Sequence, residues 1–91
     1  MTYRFIYAES YNKKARKFLK KHPDLIGQYA KCLKLLELDP YHRSLRMHSL
    51  KGRLKGLQSV SINMLYRITL ELIIKKDEII LVDVGHHSEI Y

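Results

Sequence analysis

The stretch from Leu65 to Ile74 alternates between apolar and polar side chains, and it limits the possible folds more than any other part of the chain. One side of this segment carries Tyr66, Ile68, Leu70, Leu72 and Ile74. The other side carries Arg67, Thr69 and Glu71. A period of two is typical of a strand with one buried face. The segment therefore belongs in a sheet whose apolar face is covered by another layer.

Three further segments have the composition or alternation of strands, namely 2–8, 57–62 and 79–84. A short turn near Asn63 joins 57–62 to the alternating strand and predicts an antiparallel hairpin. Gly85 comes directly after the last strand. Because glycine adopts backbone angles closed to other residues, we expect Gly85 to turn the chain away from the sheet.

Two amphipathic helices are predicted after the first strand, over 11–21 and 24–38. Ser10 is a candidate N-cap for the first helix, and Pro23 is placed to start the second. Two helices with a short link predict an antiparallel pair on one face of the sheet. The predicted fold class is α+β, in the order β-α-α-β-β-β, with an antiparallel sheet and one domain over 1–91.

This fold requires a particular register for the alternating strand. Its apolar side should pack against the helices, while Arg67 and Thr69 face the other way. The expected interface joins Tyr66, Ile68, Leu70 and Leu72 to Leu25, Tyr29, Leu33 and Leu36.

Charge narrows the function, because 17 Lys and Arg against nine Asp and Glu give a net charge of +8 in 91 residues. A surface this positive favours nucleic acid as a partner, followed by an acidic protein and then an anionic membrane surface. The first helix alone carries Lys13, Lys14, Arg16, Lys17, Lys20 and Lys21. These side chains form either an ordinary solvated surface or a docking surface for a polyanion.

Several other classes of protein fit the sequence poorly. The single cysteine, Cys32, excludes an internal disulfide and suits a reducing cytoplasm. Neither a membrane-spanning run nor the apolar core of a signal peptide is evident, so we expect a cytoplasmic protein without membrane contact. The acidic residues are scattered and His86 and His87 are adjacent, so neither a metal site nor a cofactor is expected.

Candidate catalytic groups converge at one end of the predicted sheet. Arg67, near the start of its strand, should lie across from the end of the last strand, which leads into His87. His48 enters from the preceding segment and can reach the same end. An arginine for phosphate, imidazoles for proton transfer and a tyrosine for stacking a base are the parts of a metal-independent ribonuclease. The residues alone leave this interpretation open beside one in which His86 and His87 are merely solvated.

Three motifs resemble the RelE/ParE toxin superfamily. Met47 to Leu57 is similar to its H-x-L-x-G-x-x-x-G-aromatic segment. Tyr66-Arg67-Ile68 is similar to its Y-R-hydrophobic strand, and Val84 to Tyr91 to its closing I-G-x-H-x-E-[VIL]-[YF]. The predicted order of elements agrees over the whole chain. Within the superfamily, the YafQ-like mRNA interferases are the nearest branch.

This resemblance implies a toxin that enters the ribosomal A site, cuts the exposed mRNA and is neutralised by a cognate antitoxin. His48 and His87 match the acid/base histidines of the family, Arg67 a phosphate-stabilising arginine, and Tyr91 the C-terminal aromatic that contacts substrate. His48 and His87 should then flank a cavity for one phosphodiester, with Arg67 beneath it. The side chains expected to stay exposed and contact ribosomal RNA are Lys13, Arg16, Lys17, Lys20, Lys21, Arg53 and Lys55. Operator DNA is a further expected partner, through the toxin–antitoxin complex.

The chain departs from the YafQ-like pattern in ways that leave other functions open. Ser61 or a neighbour stands where that branch has a further histidine, and Leu57 where it has Tyr or Trp. His86 has no counterpart in the motif and is expected to point away and tolerate Ala. Two alternatives are a ParE-like inhibitor of DNA gyrase, which needs no acid/base pair, and a catalytically degenerate toxin that acts only with its antitoxin as an operator-binding repressor.

Overall fold

The computed structural model describes the backbone of residues 2–90 and the side chains of residues 2–88. Its elements are β1 (Arg4–Tyr7), α1 (Tyr11–Lys21), α2 (Ile26–Leu38), β2 (His48–Ser49), β3 (Gln58–Ser61), β4 (Tyr66–Ile73), β5 (Glu78–His86) and α3 (His87–Ile90). Short 3-10 turns lie at Pro23–Leu25, Arg43–Leu45, Gly52–Leu54 and Ile74–Lys76. Among the described residues, no helix has both the length and the apolar character needed to cross a membrane.

The strands form one sheet in the order β1-β5-β4-β3-β2. Strands β3, β4 and β5 pair antiparallel, and the predicted α+β class is confirmed. The sheet is not wholly antiparallel, because β1 pairs parallel with β5. Successive hairpins return the chain toward β1, and β5 arrives there running in the same direction. The two-residue β2 pairs with β3 at the other edge and is too short to give a period in the sequence.

The helices cover one face of the sheet with the predicted register. Ile68 and Leu70 of β4 are fully buried in a core that also contains Leu25, Tyr29 and Leu36. The remaining expected members of the interface, Leu33, Tyr66 and Leu72, are partly buried against this core. Arg67 and Thr69 alternate with Ile68 and Leu70 and lie on the second face.

A buried hydrogen bond joins the two helices. The hydroxyls of Tyr11 in α1 and Tyr29 in α2 lie 2.6 Å apart. Burial raises the pKa of both phenols well above the ordinary value, so they remain neutral. Ser10 occupies the N-cap position of α1 as predicted, but its side chain makes no capping hydrogen bond. The buried contact between Tyr11 and Tyr29, rather than a capping hydrogen bond from Ser10, therefore holds α1 in place.

Cys32 also belongs to the core. Its thiol donates to the backbone oxygen of Ser61 across 3.5 Å and thereby links α2 to β3. Burial raises the pKa of Cys32 to about 12. The thiolate, which is the reactive form, is therefore scarce at neutral pH.

Candidate nucleic-acid interface

Arg67 lies in the middle of the second sheet face, between Ser61 of β3 and Gly85 of β5. The predicted juxtaposition of Arg67 with the end of β5 is therefore confirmed. Gly85, however, does not turn the chain. It stays in the ladder, and the strand continues to His86, which pairs with Tyr66. Because directly opposite Cβ atoms lie about 5 Å apart, a glycine at this position leaves room beside the Arg67 side chain.

The guanidinium of Arg67 has no acidic partner in the described part of the chain. The ion pairs found there join Arg4 to Glu78, Lys14 to Asp83 and Lys34 to Glu37. Arg67 Nη1 is buried and makes no hydrogen bond to any described residue. A buried cationic donor without a partner is costly in free energy, and a phosphate oxygen is the kind of acceptor that would satisfy it.

Hydroxyl groups surround this arginine. We call this region the polar face, defined by Ser59, Ser61, Arg67 and Thr69. The three hydroxyl residues are buried. Ser61 donates to the backbone oxygen of Asn63, whereas Thr69 Oγ1 has no hydrogen-bond partner among the described residues. The polar face thus presents an unneutralised cation and a spare hydroxyl two residues apart on one strand.

His48 shares this side of the sheet but lies at its edge. It is exposed on β2 and pairs with Ser59, and its Nδ1 lies 3.4 Å from the backbone oxygen of Arg46. Strand β2 is two strands away from β4, and Ser59 is one same-face step from the row of Arg67. From standard strand dimensions, the Cα atoms of His48 and Arg67 are about 12 Å apart. His48 therefore lies on the same sheet face as Arg67 but on the edge strand, and its convergence with Arg67 stays a prediction.

His87 begins α3, two residues beyond the partner of Arg67. Its backbone N–H donates to the oxygen of Leu65 across 3.0 Å, which attaches α3 to the start of β4. Its ring stacks on that of His86, with ring centres 4.6 Å apart. Tyr91, the fourth predicted catalytic residue, lies outside the described residues.

The cavity expected between His48 and His87 stays a prediction. Among the described residues, three cavities have walls that include neither Arg67 nor His87. His48 lines one of them, of about 230 Å³, with Met47, Gln58 and Leu72 among its walls. Two strands, β4 and β3, lie between β5 and β2.

The basic side chains expected to meet RNA are all exposed: Lys13, Arg16, Lys17, Lys20, Lys21, Arg53 and Lys55. Their contact with RNA stays a prediction. In the described part of the chain, no group of three or more His, Cys, Asp or Glu side chains is arranged to hold a metal ion.

Sequence reasoning missed a second feature, a cleft of about 510 Å³ between α1 and the end of β5. We call it the helix-side cleft. Its lining residues are Lys14, Lys17, Phe18, Lys21, His22, Tyr66, Asp83, Val84, Gly85 and His86. Phe18 in the last turn of α1 and His22 directly after the helix are four residues apart, which is a signal present in the sequence, but Tyr66 and His86 join them only once the sheet forms.

The fold is that of the YafQ- and YoeB/ParE-type toxins, and the resemblance to the RelE/ParE superfamily is confirmed at the level of the fold. YafQ from E. coli strain BL21(DE3) superposes with a TM-score of 0.81 at 16% identity, covering 98% of both chains. A metal-bound toxin from Helicobacter pylori gives a TM-score of 0.76 at 22% identity, covering 100% of both chains. The E. coli DinJ–YafQ toxin–antitoxin complex gives 0.78 at 17% identity, covering 100% of this chain and 99% of that one.

Comparison of sequences gives no such match. No family model matches the chain. No curated protein matches it either.

Proposed function

We propose that this protein is the toxin of a toxin–antitoxin pair and that it cleaves mRNA on the ribosome. The reaction class is metal-independent transesterification, in which the 2′-hydroxyl of RNA attacks the adjacent phosphate. One group removes the proton of that hydroxyl, and another protonates the leaving 5′-oxygen. A guanidinium offsets the charge that develops on the phosphorane.

The observation that carries the proposal is the environment of Arg67. Its guanidinium forms no ion pair among the described residues, and Nη1 is buried without a hydrogen-bond partner there. A structural arginine would be paired with a carboxylate or with backbone oxygens. A phosphodiester lying against Arg67 and the Thr69 hydroxyl would satisfy both groups.

His87 follows Gly85, the cross-strand partner of Arg67, by two residues, and we assign it one of the two proton transfers. His48 is assigned the other, with the RNA strand running across the polar face from β5 toward β2. The separation of about 12 Å between the Cα atoms of His48 and Arg67 is partly bridged by two long side chains. Tyr91 is proposed to contact the substrate.

The partners follow from the same proposal. In the DinJ–YafQ complex, a protein with the same fold as this chain is paired with its antitoxin. The net charge of +8 favours an acidic antitoxin for this chain. We propose that such an antitoxin covers this protein in the cytoplasm, and that the pair together binds operator DNA. The exposed lysines and arginines of α1 and the 52–56 loop would contact ribosomal RNA.

The test is primer extension on a defined mRNA, in a translation extract with and without ribosomes. Wild type should cut the mRNA only when ribosomes are present. His87→Ala and His48→Ala should each slow cleavage by about 10²- to 10⁴-fold, the usual contribution of a positioned general acid or base. His42→Ala is the matched control, since His42 is also exposed and outside the proposed site.

Two outcomes would redirect the proposal. If His48→Ala alone keeps full activity, the second proton transfer belongs to another group, in line with the edge position of β2. If both variants stay fully toxic in cells, the acid/base assignment is wrong. Gyrase supercoiling would then be the activity to measure, because a gyrase inhibitor with this fold needs no acid/base pair.

A further inference from the structure

The helix-side cleft lies on the opposite side of β5 from the polar face. Its walls are α1 and the ends of β4 and β5, and its volume of about 510 Å³ falls within the range of small-molecule sites, roughly 300 to 1,000 Å³. Neither the family motifs nor the proposed cleavage reaction assigns it a role.

The structure divides the cations of α1 into two groups. Lys14, Lys17 and Lys21 line the cleft. Successive residues of a helix are rotated by about 100°, so Lys13, Arg16 and Lys20 lie on the adjacent side of α1, and they do not line the cleft. The six cations therefore form one broad basic surface, of which only a part borders the cleft.

The cleft carries one acid, Asp83, whose interactions are already fixed. Its Oδ2 lies 3.7 Å from Lys14 Nζ, and its Oδ1 accepts from the backbone N–H of Val84 across 2.8 Å. Lys17 and Lys21 have no ion-pair partner in the described part of the chain. These two ammonium groups are left to bind an anion at the mouth of the cleft.

Aromatic rings form a continuous series along the cleft. Phe18 and His22 have ring centres 4.9 Å apart, and His22 and Tyr66 4.7 Å apart. Tyr66 meets His86 edge to face at 5.6 Å. The series ends where His86 stacks on His87, so the cleft leads directly to the residue assigned to proton transfer.

The hydrogen bonds of His86 fix its tautomer. Nδ1 accepts from the backbone N–H of Ser88 across 3.1 Å, so this nitrogen carries no proton. The Ser88 hydroxyl lies 2.7 Å from the same atom. In the neutral ring the proton is then on Nε2, which is left as a donor.

We propose that the helix-side cleft binds one unpaired nucleotide of single-stranded RNA. Its phosphate lies between Lys17 and Lys21, and its base lies against the rings of Tyr66 and His86. The choice of RNA rests on the proposed function, which the cleft extends by a nucleotide site next to His87. His86 thereby gains a binding role that its place outside the family motif does not suggest.

The lining favours a nucleotide over an acidic peptide segment. Every base has a flat face that stacks on an aromatic ring, whatever the sequence of the RNA. A carboxylate side chain would use the lysines but not the rings. The combination of two free ammonium groups with four adjoining rings is matched by a phosphate joined to a base.

The experiment measures binding without cleavage. The probe is a fluorescein-labelled single-stranded RNA heptamer with 2′-O-methyl groups, which lacks the attacking hydroxyl, and affinity is read from anisotropy. Lys17→Gln/Lys21→Gln should weaken binding about tenfold, and His86→Ala by a similar factor. The control, Lys75→Gln/Lys76→Gln, removes the same charge from the exposed Ile74–Lys76 turn, outside every surface proposed to bind RNA, and should change affinity less than threefold.

Three results would overturn the proposal. Equal losses in the two double variants would show that the protein attracts RNA by diffuse charge alone. An unchanged affinity in His86→Ala, with thermal unfolding like that of wild type, would remove the ring contribution. The third result concerns a glutamate-rich peptide. If this peptide binds the wild type but not Lys17→Gln/Lys21→Gln, while both proteins bind the heptamer equally, the cleft is a site for an acidic segment. If the wild type does not cleave mRNA on the ribosome but still binds the heptamer, the proposed function is contradicted, whereas the proposed nucleotide site in the cleft is not.

Discussion

The polar face and the helix-side cleft both carry cationic side chains that form no ion pair among the described residues, but they hold that charge in different ways. On the polar face, a single guanidinium is half-buried in the centre of a sheet among buried hydroxyl groups. In the cleft, Lys17 and Lys21 are exposed on a helix beside aromatic rings. The first arrangement fixes a donor in one geometry, whereas the second supplies charge on flexible stems.

This difference separates positioning from attraction. Stabilising a transition state requires donors that are already aimed where charge develops, because reorganising them would cost free energy during the reaction. Attracting an RNA strand requires only charge near its phosphates, and that contribution weakens with salt. We therefore expect changes on the polar face to act on the rate of cleavage and changes in the cleft to act on affinity.

Replacing Arg67 should have the largest effect of any single change. Arg67→Ala removes the guanidinium opposite the developing phosphorane, and we expect ribosome-dependent cleavage to fall at least as much as in His87→Ala, by about 10²- to 10⁴-fold or more. The heptamer affinity should change far less. The measurement pairs single-turnover cleavage with anisotropy on the same protein preparations.

Exchanging lysine and arginine in the two regions would sharpen the comparison. Arg67→Lys should recover only part of the cleavage rate, because a point charge lacks the planar, two-donor geometry of guanidinium. Lys17→Arg in the cleft should bind the heptamer within about threefold of wild type, since only charge is needed there. Full recovery in Arg67→Lys would contradict the distinction between positioning and attraction.

Loss of the hydrogen bond between Tyr11 and Tyr29 should have a smaller effect, which concerns only the helix side of the sheet, where the cleft lies. Tyr29→Phe leaves the Tyr11 hydroxyl buried without a partner, and the free energy of unfolding should fall by about 1–3 kcal/mol in urea titrations. The double change Tyr11→Phe/Tyr29→Phe should cost less than the sum of the single ones, because both partners are then apolar. Additive losses would show that the two hydroxyls do not interact.

Much of the fold could be predicted from the sequence because it depends on local periodicity. The alternation along β4 gave its buried side, and helical spacing gave α1 to the residue. The direction of β1 relative to β5 depends on how distant segments assemble, and the sequence of residues 2–8 does not indicate it. Strand β2 has two residues, which is too short to show any period.

The site was predictable to a more limited extent. Arg67 opposite Gly85 follows from hairpin pairing, and it holds. The distance of His48 from that position depends on sheet order, which the motif H-x-L-x-G does not encode. A glycine after a strand either turns the chain or leaves room beside a neighbouring side chain, and the sequence does not distinguish the two. The prediction that Gly85 turns the chain is wrong for this reason. The helix-side cleft unites rings from α1, β4 and β5, so no single segment of sequence shows it.

Thr69 offers the smallest effect and the most direct test of what the polar face is for. Its Oγ1 is buried without a hydrogen-bond partner among the described residues, so Thr69→Val, which keeps the shape and the β-branch, should raise the free energy of unfolding by about 1 kcal/mol. If the hydroxyl serves a bound phosphate, the same variant should cleave RNA several-fold more slowly although it is more stable. Thr69→Ser, which keeps the hydroxyl and loses a methyl group, should show the reverse pattern of lower stability and near-normal cleavage. A Thr69→Val variant that is both less stable and fully active would mean that the hydroxyl stabilises the fold and has no part in binding substrate.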